Sequence, residues 1–185
     1  MVYGIIAAGL GSRLTGDGYP GFKPMVEIQG ETLIARLIRI FNANDATAIR
    51  LILNTSQQIL GSYIQGLVSN VRLEILYKDT PSSFHSFHAL IQPATELEEI
   101  CISTIDPIFK EEAFEAYINA FRAQKSLDGL MAVSQFVNDD APLHVHVNGQ
   151  MDILEFSGTK RLELTSPVFV SGGIYCLRKN ALNLA

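Results

Sequence analysis

Tryptophan, cysteine and positive charge are all scarce in this sequence of 185 residues. Tryptophan is absent, and the two cysteines, Cys101 and Cys176, each lie within an apolar run. Two cysteines cannot build a disulfide scaffold, so we expect both to be buried free thiols. The 14 lysines and arginines are outnumbered by 19 aspartates and glutamates, and the net charge is −5. This balance excludes the basic surface that general nucleic-acid binding needs.

Long apolar runs are also missing. None is long enough to span a bilayer, and no basic stretch precedes an apolar stretch at the N-terminus. We therefore expect no membrane partner, no signal peptide and a cytoplasmic location. The length, with 48% hydrophobic residues, fits one domain over residues 1–185 with a sizeable core.

Strand and helix patterns alternate along the first two thirds of the chain. Apolar, strand-like runs are interleaved with amphipathic segments that have helical periodicity, and Thr32 precedes the first helix as a candidate cap. The predicted strands cover residues 2–8, 48–54, 71–77 and 98–105, and the predicted helices cover 32–44, 56–70, 82–94 and 110–124. Such alternation indicates an α/β fold with a largely parallel sheet.

The pattern changes after residue 129. Residues 130–137 and 166–177 read as strands, and residues 143–156 read as a hairpin that turns at Asn148-Gly149. No long helix separates these segments, so we expect antiparallel strands to extend the parallel sheet. There is no internal repeat and no linker.

The segment "AAGLGSRL" at residues 7–14 directly follows the first predicted strand. A glycine-rich turn there lies at the carboxyl edge of the sheet, where open α/β folds bind ligands. Glycine allows a tight turn whose N–H groups point at an anion without a Cβ in the way. Arg13 adds a permanent positive charge that matches phosphate oxygens. A phosphate-rich ligand is therefore expected.

Two familiar phosphate loops do not fit this segment. The kinase-type loop needs Gly-Lys-Ser/Thr at its end, which is absent, and the dinucleotide fingerprint needs a small residue where Leu14 stands. A third arrangement uses Lys23, which lies before a proline. Pro24 favours extended backbone at Lys23, which predicts that the lysine side chain reaches across the loop.

These features together resemble the sugar-nucleotidyltransferase family, whose members join a nucleotide to a sugar 1-phosphate. The matching segments occur in the family's order: "AAGLGSRL" at 7–14, "FKP" at 22–24, "VEIQGETLI" at 26–34, "CISTIDPIF" at 101–109 and "SGGIYCL" at 171–177. The resemblance implies the nucleotide-diphospho-sugar transferase fold, a Rossmann-like three-layer α/β/α arrangement with a mixed, mainly parallel sheet. The segment between Arg13 and Lys23 is shorter than in members that act on sugar phosphates.

The resemblance also implies roles for individual residues. Arg13 and Lys23 would be catalytic, with Arg13 on the β and γ phosphates and Lys23 between the α-phosphate and the incoming sugar phosphate. Asp106 would hold Mg²⁺, the implied cofactor. Lys160 and Gly173 would contact the sugar phosphate. Nucleotide binding would involve Ala8, Gly9, Leu10, Gly11, Ser12, Arg13, Ser82 and Ser83. The implied partners are a nucleoside triphosphate and a sugar 1-phosphate, with the oligomeric state undetermined.

Several of these residues have a plainer interpretation. Asp106 before Pro107 also fits a helix N-cap, and Ser82 and Ser83 fit a helix start without any ligand. Histidine pairs at 85/88 and 144/146 lack the further ligands that zinc requires.

Two other function classes stay open. A glycosyltransferase would use an Asp-x-Asp pair, whereas Asp106 stands alone on its strand. A non-catalytic nucleotide-binding protein would keep the loop and lose metal-binding carboxylates.

The family's second metal-binding aspartate has no counterpart after Tyr175. Either the sequence ends before that residue, as in a truncated member, or an upstream acid such as Asp17 or Asp152 substitutes. We favour the first explanation. We therefore expect these 185 residues alone to bind nucleotide but to transfer it poorly.

Overall fold

A computed structural model describes residues 1–9, 11, 16, 18–67, 69–92, 96–136, 142–158 and 168–184. The chain divides into two compact units, residues 1–130 with 175–185 and residues 131–174. The expectation of one domain stays a prediction.

The first unit contains most of the regular structure. Its strands are β1 (Val2–Ile6), β2 (Glu27–Ile28), β3 (Glu31–Thr32), β4 (Ala48–Leu53), β5 (Arg72–Tyr77) and β6 (Glu99–Thr104). Its α-helices are α1 (Leu33–Ala43), α2 (Gln58–Gln65), α3 (Ser83–Leu90), α4 (Glu111–Ala123) and the short α5 (Lys179–Leu182), with 3-10 helices at Lys23–Met25 and Thr55–Gln57.

The core of this unit is a parallel sheet in the order β5-β4-β1-β6. β1 pairs in parallel with both β4 and β6, and β4 pairs in parallel with β5. The last residues of β10 (Val168–Arg178) lie beside β6, where the Lys179 N–H donates to the Glu98 carbonyl at 2.9 Å. The predicted alternation of strands and helices, and with it the α/β fold class, is confirmed.

Helices cover both faces of β1. On one face the Tyr3 ring stacks on Phe41 of α1 at 4.5 Å, and Phe41 stacks on Phe114 of α4 at 5.7 Å. On the other face Gly4 lies so close to α3 that a Cβ there would come within 2.6 Å of Leu90 Cδ2. This cover buries β1 from Tyr3 to Ile6, which explains its continuous apolar sequence.

The predicted first helix begins where its sequence indicates. The Thr32 hydroxyl accepts a hydrogen bond from the Ala35 N–H at 3.2 Å, which satisfies one of the free donors of the first turn. Before it, Gln29 and Gly30 both have positive φ, 55° and 83°, in the tight turn between β2 and β3. Gly30 therefore supplies the left-handed backbone of this turn.

The second unit consists of strands. β8 (His144–Val147) pairs antiparallel with β9 (Ile153–Ser157) and with the first residues of β10, and β7 (Gly129–Ser134) also pairs with β10. The predicted hairpin is confirmed, but its turn is longer than the expected two residues. The Asn148 N–H donates to the Asp152 carbonyl at 3.0 Å, and Met151 rather than Gly149 has the positive φ, 68°.

Both cysteines are buried and free, as expected. They interact with each other, and burial raises the pKa of the Cys101 thiol well above its usual value, helped by that contact.

No helix in the described part of the chain is long and apolar enough to cross a membrane.

Gly4→Ala tests the close packing of α3 on β1. We expect a loss of about 1–3 kcal/mol in the free energy of unfolding, because the new methyl group overpacks Leu90 and Ile102. Gly149→Ala is the matched control, since a Cβ there has no described atom within 4 Å and its φ is not positive. Urea unfolding measures both variants, and equal stability of the two would contradict the packing argument.

Candidate functional site

A cavity of about 570 Å³ opens at the carboxyl edge of the parallel sheet in the first unit. Three chain segments that leave neighbouring strands form its walls, together with the first turns of α3. The lining residues are Ile6, Ala8, Gly9, Asn54, Asp79, Thr80, Pro81, Ser82, Ser83 and Ser86. Four of the residues predicted to bind nucleotide, Ala8, Gly9, Ser82 and Ser83, therefore lie around one cavity.

The two glycines after β1 have different surroundings. Gly9 lines the cavity, and a Cβ built on it would have no atom of the described residues within 4 Å. Gly11 has a left-handed backbone with φ of 65°, and its Cβ position is 3.4 Å from the Cβ of Lys23. Gly9 therefore leaves space for a ligand, whereas Gly11 brings the loop against the segment that carries Lys23. Leu10, Ser12 and Arg13 lie outside the described residues.

The presence of Pro24 predicted an extended backbone at Lys23. Lys23 is instead the first residue of a 3-10 helix. The extended residue is Phe22, with φ −78° and ψ 139°. The N–H groups of Met25 and Val26 donate to the carbonyls of Phe22 and Lys23, and these two bonds outweigh the preference of a residue before proline. Pro24 itself is buried and anchors the turn.

Lys23 and Asp106 form an ion pair, with 2.8 Å between Lys23 Nζ and Asp106 Oδ2. Partial burial by itself raises the pKa of Asp106, but the hydrogen bond and charge of Lys23 outweigh it, helped by the Thr104 hydroxyl. The pKa of Asp106 therefore lies below its ordinary value. The carboxylate is held ionised, as a metal ligand must be.

Asp106 does not cap the helix that follows it. Helix α4 begins at Glu111, and Lys110 is its N-cap residue, with no side-chain capping bond. The helix-capping interpretation of Asp106 is therefore wrong. Because the helix starts five residues downstream, the Asp106 carboxylate is available at the sheet edge for Lys23.

The segment between Asp106 and α4 is held by helix α1. Arg36 donates to the Phe109 carbonyl at 2.5 Å, and its guanidinium lies 4.7 Å from the centre of the Phe109 ring. Arg39 makes two hydrogen bonds of 2.9 Å to the Glu111 carboxylate. These contacts fix the loop that carries Asp106.

The serines at the start of α3 were interpreted both as a helix start and as nucleotide-binding residues, and their positions are compatible with both. The Ser82 hydroxyl caps α3 by accepting from the His85 N–H at 3.5 Å, and it also lies 2.8 Å from His85 Nδ1. Ser86 is buried, with its hydroxyl 2.6 Å from that of Thr80. The helix start is thus satisfied by local bonds while Ser82 and Ser83 still line the cavity.

Sequence reasoning missed Asn54 and Asp79, which also line the cavity. Asn54 caps the 3-10 helix after β4, accepting from the Ser56 N–H at 3.0 Å. Asp79 accepts from both the N–H and the hydroxyl of Thr55, at 3.0 and 2.7 Å, and these bonds lower its pKa. The sequence did contain a signal for both residues, because each is a polar residue that closely follows a buried or half-buried strand.

A family model provides the decisive comparison. The model for the MobA-like NTP transferase domain matches residues 4–164, most of the sequence. The chain belongs to the MobA-like NTP transferase family. The predicted nucleotidyltransferase resemblance is thereby confirmed. No curated protein matches the sequence significantly.

Solved structures share the fold of this NTP transferase domain. The inositol-1-phosphate CTP transferase from T. maritima is 16% identical over 99% of this chain and 72% of that chain, with a TM-score of 0.78. HddC from Yersinia pseudotuberculosis is 17% identical over 100% and 79%, with a TM-score of 0.73. A UDP-glucose pyrophosphorylase complexed with UDP-glucose is 11% identical over 99% and 78%, with a TM-score of 0.77. These likenesses confirm the predicted nucleotide-diphospho-sugar transferase fold.

The acidic residues of the NTP transferase domain bear on how it would hold a metal. Among the described residues, no three histidine, cysteine or acidic side chains gather as a metal cluster. Asp106 offers one ionised, half-exposed carboxylate at the sheet edge, with a side chain 52% exposed. Mg²⁺ is commonly bound by one or two carboxylates together with substrate phosphates, so this donor fits.

The remaining predicted site residues either belong to the second unit or are not described by the structure. Asp152, a proposed substitute acid, belongs to the second unit and accepts from Asn148 Nδ2 at 2.9 Å. Gly173 also belongs to the second unit, with φ of 72° and its N–H bonded to the Ser171 hydroxyl at 3.1 Å. Asp17 and Lys160 lie outside the described residues.

Gly9→Ala tests whether the cavity beside the first loop binds the nucleotide. We expect the free energy of unfolding to change by less than about 0.5 kcal/mol, because the methyl group meets no atom of the described residues. Nucleotide affinity should fall at least about ten-fold, since the methyl group occupies the ligand's space. Calorimetric titration measures this, with Gly149→Ala as control. Unchanged nucleotide affinity in Gly9→Ala would contradict the placement.

Proposed function

We propose that this NTP transferase domain joins a nucleoside monophosphate unit to a sugar 1-phosphate, releasing pyrophosphate and forming an NDP-sugar. The observation that carries the proposal is the Lys23–Asp106 pair of 2.8 Å, at the same sheet edge as the glycine-lined cavity. A cationic donor and a metal-binding carboxylate side by side are what phosphate transfer requires.

In the proposed reaction, an oxygen of the sugar phosphate attacks the α-phosphorus of the nucleotide. The bond from that phosphorus to the bridging oxygen breaks, and pyrophosphate leaves with the electron pair. Negative charge builds up on the phosphate oxygens, so catalysis consists mainly of positioning and charge stabilisation. Lys23 donates to the α-phosphate and to the incoming phosphate. Asp106 would hold Mg²⁺, which supplies further positive charge when bound.

The cavity is assigned to the nucleoside part of the substrate. Gly9 leaves room beside β1, and the cavity lining also offers the hydroxyls of Ser82 and Ser83 and the carboxylate of Asp79. Hydroxyls and a carboxylate recognise ribose and base edges by hydrogen bonds. Arg13, Ser12 and Leu10 are proposed for the β and γ phosphates, and Lys160 and Gly173 for the sugar phosphate.

The sugar 1-phosphate as acceptor is supported by what the similar structures are called. Their names specify an inositol 1-phosphate CTP transferase and a UDP-glucose pyrophosphorylase. Both names describe a nucleotide joined to the phosphate of a cyclic polyol or sugar. We propose an acceptor of the same chemical class for this chain.

A second function is a nucleotide-binding protein without transferase activity. The metal-binding residues favour it, because the described residues contain no group of three potential metal ligands. Pyrophosphate release, measured over a panel of nucleoside triphosphates and sugar 1-phosphates with and without Mg²⁺, separates the two. Release that requires both substrates supports the transferase, and nucleotide binding without release supports the binding protein.

Lys23→Ala tests the phosphate-binding role of the lysine. In the presence of Mg²⁺ we expect nucleotide binding to weaken by about 1.5–3 kcal/mol, the typical loss for a charge-assisted hydrogen bond. Lys125→Ala is the matched control, because Lys125 is exposed after α4, at the opposite edge of the sheet. Calorimetry gives both affinities, and an equal affinity in the two variants would refute the role of Lys23.

Asp106→Asn tests the metal-binding role of the carboxylate. The amide keeps the shape of the side chain and removes the charge, so we expect the folded state to persist and Mg²⁺-dependent nucleotide binding to drop. Thermal melting and calorimetry with and without Mg²⁺ provide the measurements. A variant that keeps its full Mg²⁺ dependence would show that Asp106 is not the metal ligand.

A further inference from the structure

We propose that Lys23 and a divalent metal ion compete for Asp106, so that the triphosphate, by binding Lys23, releases the carboxylate to the metal. The inference deepens the proposed function and rests on it. Nucleotide and metal binding would then be coupled inside the protein, in addition to the metal–nucleotide complex that forms in solution.

The competition follows from the position of Lys23 on the Asp106 carboxylate. Lys23 Nζ lies 2.8 Å from Asp106 Oδ2. A magnesium ion would approach the same carboxylate to about 2.0–2.1 Å. An ammonium and a divalent cation on one carboxylate repel each other strongly at such separations. No cluster of further acids among the described residues offers the metal an alternative.

The lysine can leave Asp106 without disturbing the fold. Its backbone is held by the 3-10 turn and the buried Pro24, and Gly11 packs against its Cβ. Its side chain is 30% exposed, and that of Asp106 is 52% exposed. Ion pairs this accessible to water are weak, and a lysine stem has four rotatable carbons. A triphosphate, with several negative charges, is therefore a stronger partner for Nζ than one carboxylate.

Thermodynamic linkage makes the effect reciprocal. Whatever draws Lys23 from Asp106 raises the affinity of Asp106 for the metal, and the metal raises the affinity of Lys23 for phosphate by the same factor. When no nucleotide is bound, Lys23 therefore weakens the binding of the metal to Asp106. Its ion pair also keeps the Asp106 carboxylate from repelling an approaching phosphate at full strength.

The first test measures Mn²⁺ binding to nucleotide-free protein by electron paramagnetic resonance of the free ion. We expect Lys23→Met to raise Mn²⁺ affinity about three-fold or more, and Lys23→Arg, which keeps the charge, to leave it near the wild-type value. Lys125→Met, which removes one positive charge at the opposite edge of the sheet, should have no effect. Equal Mn²⁺ affinity in wild type and Lys23→Met would overturn the proposal.

The second test measures the tripolyphosphate affinity of one variant, Asp106→Asn. The proposal predicts that this affinity rises without a metal and falls with Mg²⁺, relative to wild type. Inorganic tripolyphosphate is titrated into the protein with EDTA and then with Mg²⁺. With EDTA, we expect Asp106→Asn to bind tripolyphosphate about three-fold or more tightly than wild type, because Lys23 is released and a negative charge is gone. With Mg²⁺, the same variant should bind it more weakly. A change in the same direction under both conditions would overturn the proposal.

These tests fail separately from the proposed function. Mn²⁺ and tripolyphosphate binding require no sugar phosphate and no turnover. Pyrophosphate release by wild type, together with unchanged Mn²⁺ affinity in Lys23→Met, would leave the transferase in place and remove the coupling. Raised Mn²⁺ affinity in Lys23→Met, together with no turnover by wild type, would support the competition at Asp106 and contradict the transferase function.

Discussion

Ile6, Ile52 and Thr104 lie side by side, because β1 is in parallel register with both β4 and β6. The chain leaves all three strands at the same level and in the same direction. Two residues further on stand Ala8, Asn54 and Asp106, which therefore reach one edge of the sheet. This register, held by a central strand buried on both faces, brings Ala8, Asn54 and Asp106 to the candidate site.

Gly4 and Tyr3 show how that register depends on packing. On one face the ring of Tyr3 fills the space under α1, and on the other the bare backbone of Gly4 admits α3. Close approach of α3 in turn brings its N-terminal serines to the cavity. The site is thus built on rigid elements, which is how a protein positions groups for phosphate chemistry with little reorganisation.

The Lys23–Asp106 pair gives the site its charge pattern. An isolated carboxylate at the sheet edge would repel a triphosphate, and an isolated lysine would attract any anion. Joined at 2.8 Å, they form a nearly neutral dipole. In the proposed coupling, the two side chains separate when phosphate and metal supply better partners. The loop carrying Asp106 is meanwhile held by Arg36 and Arg39 of α1.

Much of this molecule was determined by its sequence. The strands, the helix caps at Thr32 and Ser82 and the glycine turn at Gly30 follow from side chains within about four residues of each position. Local interactions of this kind can be predicted because hydrogen bonds, φ preferences and apolar periodicity involve only near neighbours. The family segments around 7–14 and 22–24 belong to the same class of local information.

The tertiary structure alone decided which of two partners Asp106 would take. The sequence allowed a helix cap or a site residue, and the helix begins downstream while Lys23, 83 positions earlier, lies 2.8 Å away. It likewise decided that Asp79 faces the cavity. Contacts between residues far apart in the chain depend on strand register and packing, which no local pattern specifies.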